Sequence, residues 1–369
     1  FPIFWHSVDS KQSCGDKMPA SFAEVICTIG SEKRRCVMIL RHLARLIPCC
    51  LLLLFLGVDI VCVAASGRKP NVILVMTDDQ GYGDLSCHGN PVLKTPHLDA
   101  LHRESIRLTD FHSAPMCTAT RGQLLTGCDA LHNGATHVSC GRLFVRRGIP
   151  TMADIFSAAG YQTGHFGKWH LGGNYPYRPQ DRGFQETVGF RAFGLTAAPN
   201  HWNSDYFDDH YLHNGKTEQY PGYCTDVWFN EAMEWIEEQG EAGKPFFAYL
   251  ATNAPHLPFW VPDRYRESYR DQDPDVASFF AMLANIDENM GRLRLMLQKT
   301  GLAENTILIY LTDNGTVGGQ SVFNAGMRGN KAWLYEGGHR VPCFIHWPAG
   351  GLRDPGDVDA LTECQDLLP

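Results

Sequence analysis

Two short runs, Asn71-Val-Ile-Leu-Val-Met-Thr77 and Thr306-Ile-Leu-Ile-Tyr-Leu311, constrain the fold of this 369-residue chain more than any other feature. Each is apolar at successive positions rather than alternate ones and is rich in β-branched residues. That is the composition of a strand buried on both faces, at the centre of a parallel sheet covered by helices. Each run stops abruptly at polar chemistry, Asp78-Asp79-Gln-Gly-Tyr-Gly-Asp84 after the first and Asp313-Asn314 after the second. Ligands gather at the C-terminal ends of strands in open α/β sheets. If the two runs are neighbours, four oxygen donors therefore converge on one point. Such a set suits a hard divalent cation, Ca²⁺ or Mg²⁺, whereas Zn²⁺ prefers histidine and cysteine. Taken singly, an Asp-Asp pair after a strand also reads as a turn or a helix cap.

The text around these runs alternates between two periods. Residues 96–105, 151–159, 226–238 and 275–299 read as helices, and residues 106–111, 161–166, 245–252 and 341–347 as strands. That alternation predicts an α/β fold with a mostly parallel central sheet sandwiched by helices. Residues 172–222 are rich in Gly, Pro, Tyr, Trp, His and Asp with weak periodicity, and read as a long functional loop region. Within it, Tyr177, Trp202, Tyr206 and Tyr211 form a candidate carbohydrate-stacking rim.

Residues 1–37 have no clear period and remain unassigned. From Met38, the basic residues Arg41 and Arg45 precede an apolar stretch over 46–63 and the small-residue site Val63-Ala64-Ala65. Residues 38–65 thus read as a secretory signal peptide. Pro48 and Asp59 speak against an uncleaved membrane anchor, so a membrane is a partner only if this segment is retained. Either way the chain is exported, to a secreted or periplasmic location. Lys and Arg total 32 against 40 Asp and Glu, and beyond residue 65 the counts are 25 and 35. No nucleic-acid partner is expected from that balance. Seven of the 13 cysteines follow residue 65; seven is odd, so at least one stays unpaired, and Cys117 is the natural candidate.

Cys117 stands four residues before Arg121 in Ala114-Pro-Met-Cys-Thr-Ala-Thr-Arg-Gly-Gln-Leu-Leu-Thr-Gly127. With Thr118 or Thr120 as cap, Leu124–Leu125 should lie in a helix that places Cys117 at its N-terminus beside a fixed positive charge. A thiolate or a developing anion is stabilised there; the alternative is a buried structural cysteine. In Gly167-Lys-Trp-His-Leu-Gly172, Lys168 and His170 are two residues apart and share one side of an extended segment, a cation and an acid/base group facing one site. The alternative is a surface lysine and a core histidine. His256 lies in the rigid turn Ala254-Pro-His-Leu-Pro258, and Lys331 precedes Glu336-Gly-Gly-His-Arg-Val-Pro342. His88, His97, His112, His132, His137, His201 and His346 have no comparable context and read as structural or surface groups, His137 being the closest to the Cys117 segment. Asn314-Gly315-Thr316 is the only glycosylation sequon, rejected because a buried, metal-bound amide cannot carry a glycan.

Together these motifs resemble the type I sulfatases of the alkaline-phosphatase-like superfamily. That family's pattern is Cys-x-Pro/Ala-Ser/Thr-Arg followed by Leu-Leu-Thr-Gly, with Asp-Asp-x-Gly early, Thr-Asp-Asn-Gly late, Gly-Lys-Trp-His-Leu-Gly, and Lys-x4-Glu-Gly-Gly. Here Ala119 stands where proline is usual and Thr120 where serine is. The resemblance covers residues 68–369 as a catalytic domain, without the family's small C-terminal antiparallel domain. It implies that a formylglycine-generating maturation enzyme oxidises Cys117 to formylglycine. It further implies catalytic roles for Cys117, Arg121, Lys168, His170, His256 and Lys331. A Ca²⁺ or Mg²⁺ ion would be held by Asp78, Asp79, residue 117, Asp313 and Asn314, and the substrate would be a small-molecule or saccharide sulfate ester. Two other readings remain beside it. One is a phosphomonoester or phosphonate hydrolase on the same fold; the other is an exported, catalytically silent, sulfatase-like binding protein.

Overall fold

The computed structural model describes residues 69–368 apart from 140, 198–199 and 201–203, so the signal segment and Trp202 lie outside the described residues. In chain order the strands are β1 (Asn71–Thr77), β2 (Ile106–Leu108), β3 (Phe111–His112), β4 (Gln162–Lys168), β5 (Glu186–Phe190) and β6 (His210–His213). They continue with β7 (Lys216–Gln219), β8 (Phe246–Ala251), β9 (Thr306–Thr312), β10 (Cys343–His346), β11 (Gly356–Val358) and β12 (Thr362–Glu363). The larger sheet runs β11-β2-β10-β9-β1-β8-β4-β5-β6-β7, and β12 pairs with β3 separately. Its centre, β9-β1-β8-β4-β5, is parallel throughout. β10 joins β9 and β2 antiparallel, and β6 and β7 extend the other edge antiparallel.

β1 shows why successive apolar residues are needed. It is buried at every position, and its side chains alternate between two cores. Ile73 and Val75 pack with Leu98 and Leu101 of α1 (Pro96–Glu104), and with residues of α4 (Cys224–Glu241) and α5 (Pro274–Lys299). Val72, Leu74 and Met76 pack instead with Leu124 and Leu125 of α2 (Cys117–Thr126) and Met152 and Ala153 of α3 (Met152–Ala158). The sheet is therefore sandwiched, and a period-2 strand serves both faces. α3 starts where Thr151 and Asp154 form a reciprocal capping box.

Four local expectations are corrected. α2 starts at Cys117 behind Met116, with no side-chain cap. Thr120 instead donates its hydroxyl to the Asp313 carbonyl at 2.6 Å, and Thr118 turns to His170; tertiary partners outbid the local cap. The 106–111 run breaks at Thr109-Asp110 into β2 and β3. Residues 172–222 are not one loop, because they contain β5, β6 and β7. Finally, Tyr206 and Tyr211 belong to the core rather than to a rim: Tyr211 packs its ring on Trp228, and Tyr206 donates to the His256 and Leu257 carbonyls. Tyr177 is half-buried, stacked on Phe144.

Candidate active site

β1 and β9 are parallel neighbours in register from Asn71↔Thr306 to Thr77↔Thr312, so their C-terminal continuations emerge side by side. The Asp79 amide donates to Asp313 Oδ1 at 3.1 Å, the Asp313 amide to the Thr77 carbonyl at 3.1 Å, and Asn314 Nδ2 to Asp79 Oδ1 at 2.8 Å. β8, on the other side of β1, leads into the turn that carries His256, and β4 beyond it ends at Lys168 and leads to His170. Lys331 reaches the same place on a loop fixed at both ends of the site, its own amide bound to the Thr316 carbonyl and that of Ala332 to the Pro115 carbonyl. The sheet thus collects all the residues singled out from the motifs at one end.

The backbone here is held in unusual conformations. Asp79, His170 and Ala332 have φ of 71°, 57° and 69°, left-handed values for residues that are not glycine. Such strain costs on the order of 1 kcal/mol or more each and collects at functional sites. A Cβ on Gly315 would lie 1.8 Å from the Gly337 carbonyl oxygen, which explains why glycine follows Asn314 where the Glu336-Gly337-Gly338 turn closes on it.

Charge dominates the interior. Arg121 is fully buried and binds Asp313 Oδ2 at 2.8 Å, with Asp78 Oδ2 at 3.7 Å. Its other Nη donates to the Lys168 carbonyl and the Tyr249 hydroxyl. Lys168 pairs with Asp78 and Lys331 with Asp79. Burial alone would raise the Asp78 carboxyl, but Lys168 holds it below its ordinary range; burial and the neighbouring Asp78 push Asp313 up. Asp78 Oδ1 and Asn314 Oδ1 are buried without any hydrogen-bond partner. Unsatisfied buried oxygens beside carboxylates are what a hard divalent cation needs, so the residues present fit one. Cys117 Sγ lies within reach of the same group, with Asp78 and Asp313. It opens α2, but burial, against the opposing charge of Lys168, pushes its thiol up to about 11. The expected stabilised thiolate is therefore not found.

The two histidines differ. His170 is buried, and burial with the nearby Lys168 and Arg121 charges holds its pKa well below the ordinary value, so the ring is neutral. Its Nε2 lies 3.1 Å from both the Val138 carbonyl and Thr118 Oγ1, while Nδ1 is buried without a partner. Since the carbonyl can only accept, Nε2 carries the proton and Nδ1 keeps a free lone pair. His256 donates Nδ1–H to the Leu257 carbonyl and turns Nε2 toward Asp79, 3.8 Å away, at the solvent side of the cluster.

Sequence reasoning missed Tyr249, Thr118 and Thr120. Tyr249 was detectable as the one hydroxyl-bearing residue of the apolar run Phe246–Ala251; the threonines gave no signal beyond their place in the cysteine motif. His137 is exposed, and only its neighbour Val138 touches the site. Asn314 is fully buried, in keeping with the rejected sequon. Among the described residues, Cys87, Cys117, Cys128, Cys224, Cys343 and Cys364 are unpaired.

Known proteins resemble this chain in sequence and in fold. The Sulfatase family model matches residues 70–369. Arylsulfatase J of Mus musculus is 32% identical over 321 residues, covering 82% of this chain and 51% of its own length. N-acetylgalactosamine-6-sulfatase of Mus musculus is 30% identical over 371 residues, covering 86% of this chain and 69% of its own. The chain therefore spans about half the length of the first of these relatives. The solved structure of Ps i-CgsB in complex with k-i-k-neocarrahexaose superposes with a TM-score of 0.73 at 26% identity, over 81% of this chain and 70% of that one. A phosphonate monoester hydrolase of Agrobacterium radiobacter, at 20% identity and a TM-score of 0.59, covers 82% of this chain and 72% of its own, and shares the fold.

Proposed function

The chain belongs to the sulfatase family, and from that premise we propose that it hydrolyses sulfate monoesters through a formylglycine made from Cys117. One observation carries the reading: three buried carboxylates and three cations surround Cys117 at the strand ends, leaving the oxygens of Asp78 and Asn314 unsatisfied. Their charges cancel, so a bound divalent ion leaves the site with an excess of two positive charges, suited to a sulfate group. Asp78, Asp79, Asp313 and Asn314, with residue 117, would hold Ca²⁺ or Mg²⁺. When bound, that ion supplies Lewis-acid polarisation and favours an ionised hydroxyl beside it.

The remaining chemistry is assigned to the chain's own groups. A maturation enzyme, which supplies the oxidant, converts the Cys117 CH₂SH group to an aldehyde that hydrates. Arg121, Lys168 and Lys331 stabilise the charge that builds on the sulfate oxygens. One hydroxyl of the hydrate, its proton passing to the Asp313 carboxylate, attacks sulfur, and the bond from sulfur to the alcohol oxygen breaks with its electron pair on that oxygen. His256, aided by Lys331, protonates the departing alcohol. His170, through the lone pair of Nδ1, then takes the proton of the second hydroxyl; the carbon–oxygen bond to sulfate breaks and the aldehyde returns. A serine or an unmodified cysteine lacks the second hydroxyl and would stop as a sulfated adduct.

The alcohol part is assigned to a sulfated saccharide, with small aryl sulfates as lesser substrates. Phe193, 6.1 Å from the His170 ring, and Trp260 and Trp333 are exposed, each near a segment that supplies a site residue. Their faces suit the C–H face of a sugar ring, in place of the buried Tyr206 and Tyr211. The protein acts after export, in a secreted or periplasmic setting, and no helix among the described residues is long and apolar enough to cross a membrane. Mass analysis of the Cys117 peptide, paired with turnover of a sulfate ester, tests the reading. Turnover should rise in proportion to the aldehyde fraction, and Cys117→Ser should stop after at most one event. Multiple turnover by Cys117→Ser would instead favour the phosphomonoesterase reading.

A further inference from the structure

A second group of metal-ligating side chains lies outside this site, at the β2 and β10 side of the sheet. The short helix Ser86–His88 places Cys87 and His88 against His102 in the last turn of α1. Cys87 Sγ and one ring nitrogen from each histidine lie within 4.8 Å of one another. They line a cavity of about 290 Å³ shared with Arg107, Phe344 and Asp357. His88 is fixed in orientation: its ring stacks on Tyr82 with centroids 4.0 Å apart, and Nδ1 lies 2.8 Å from the Tyr82 carbonyl oxygen. Only a protonated Nδ1 can make that bond, so in the neutral ring Nε2 presents its lone pair. A backbone carbonyl that sets the tautomer in this way is the usual support of a metal-bound histidine.

The electrostatic setting agrees with the geometry. Burial lowers the His88 pKa to about 4 and also lowers that of His102, so both rings are neutral and able to ligate near neutral pH. Burial and the adjacent Asp99 carboxylate keep Cys87 a thiol; a bound ion would displace that proton. Arg107, the nearest cation, is ion-paired with Asp357 and its charge is offset. Arg103 is the other cation felt at His102, with Asp99 and Asp357 opposing it.

We propose that Cys87, His88 and His102 bind one thiophilic divalent ion of the zinc class, independently of the hard-cation site beside Cys117. One thiolate and two imidazoles are zinc or cobalt ligands and poor ligands for Ca²⁺ or Mg²⁺. Three protein ligands leave a fourth position, which opens on the cavity and takes water. Binding releases the Cys87 thiol proton and ties the segment leading from Asp78-Asp79 to α1.

The test is titration of the full chain with Co²⁺, under anaerobic conditions and with saturating Ca²⁺. A tetrahedral cobalt–thiolate site should appear as a near-ultraviolet charge-transfer band with intense visible absorption, at one equivalent. That component should vanish in Cys87→Ser, weaken in His102→Gln and persist in Cys117→Ala. Spectra of Cys87→Ser identical to the wild type, or loss of the component in Cys117→Ala, would overturn the proposal. Should Cys87→Ser fail to fold, His102→Gln, a change at a half-buried ring, decides it in the same way: an unchanged cobalt affinity refutes the site.

Discussion

Arg121 and Lys331 bring the same charge to the same cluster, yet their surroundings make removal read differently. Arg121 is fully buried and satisfies Asp313, the Lys168 carbonyl and the Tyr249 hydroxyl. Arg121→Met strands buried carboxylates, which should cost about 3–5 kcal/mol as well as all turnover. Lys331 is reached by solvent, and its partner Asp79 keeps the Asn314 amide. Lys331→Met should abolish turnover for only about 1–2 kcal/mol. Urea midpoints measured beside activity separate the two, and equal destabilisation would contradict this account. Trp333 belongs to the same scale. Trp333→Ala should raise KM for a sulfated oligosaccharide about fivefold, on a stacking loss of about 1 kcal/mol, and leave a small aryl sulfate unchanged. Equal effects on both would remove the stacking role. The charged and metal-facing residues were legible because each sits in a short motif directly after a buried strand or at a helix start. Thr120 was not, because what defines it is a bond to a carbonyl 193 residues away. Tyr206 and Tyr211 were misread because a tyrosine-rich segment has the same composition whether its rings face a ligand or the core.

At the scale of elements, the polar edge of the sheet carries its own pH dependence. His213 on β6 binds Glu186 on β5 at 2.7 Å and Glu218 on β7 at 2.9 Å, clipping three strands together. Partial burial opposes its charge, but the hydrogen bonds to Glu218 and Glu186 prevail and raise its pKa above the ordinary value. A histidine raised on folding stabilises fully below its unfolded pKa, and that contribution is lost as pH rises through the folded value. The charged clip should therefore be fully present below the ordinary histidine range and weaken as pH rises above it, with a size of no more than about 1 kcal/mol for so exposed a group. Hydrogen exchange of the β6–β7 amides, corrected for intrinsic rate, should show protection falling over that window in the wild type and flat in His213→Gln. A fall of the same size in the variant would rule the clip out. These strands escaped the sequence reading because they are short and bear His, Lys, Thr and Glu at an edge, where no apolar period is imposed. α2 makes a second prediction at this scale. Cys117 opens a buried helix and is 2% exposed, so on the proposed reading a maturation enzyme would have to meet the segment before it folds. Folded protein should resist conversion, whereas the denatured chain or a peptide spanning 114–127 should accept it; equal conversion of folded protein would refute this.

For the whole molecule, the central sheet was legible because a strand between two helical layers must be apolar at every position, as β1 and β9 nearly are. The sheet's order and the antiparallel return of β10 were not, since pairing depends on distant partners that composition does not name. That order has an energetic consequence. β1 and β9 each contribute to both cores, and they are joined at their ends by the Asp78, Asp79, Asp313 and Asn314 cluster. An ion bound there holds together the two strands on which both cores rest, so its binding energy should appear as global stability. At a hundredfold excess over its dissociation constant, the gain is about 2.7 kcal/mol. For a domain of this size that corresponds to a rise in Tm of roughly 4 °C. Protein made without a maturation enzyme should show this rise with Ca²⁺ or Mg²⁺ and lose it on chelation. Asp313→Asn should fold, because Arg121 keeps Asp78, but its Tm should no longer respond to the ion. A response of the same size in Asp313→Asn would mean that the ion binds elsewhere, and the strand-end cluster would lose its claim to the metal.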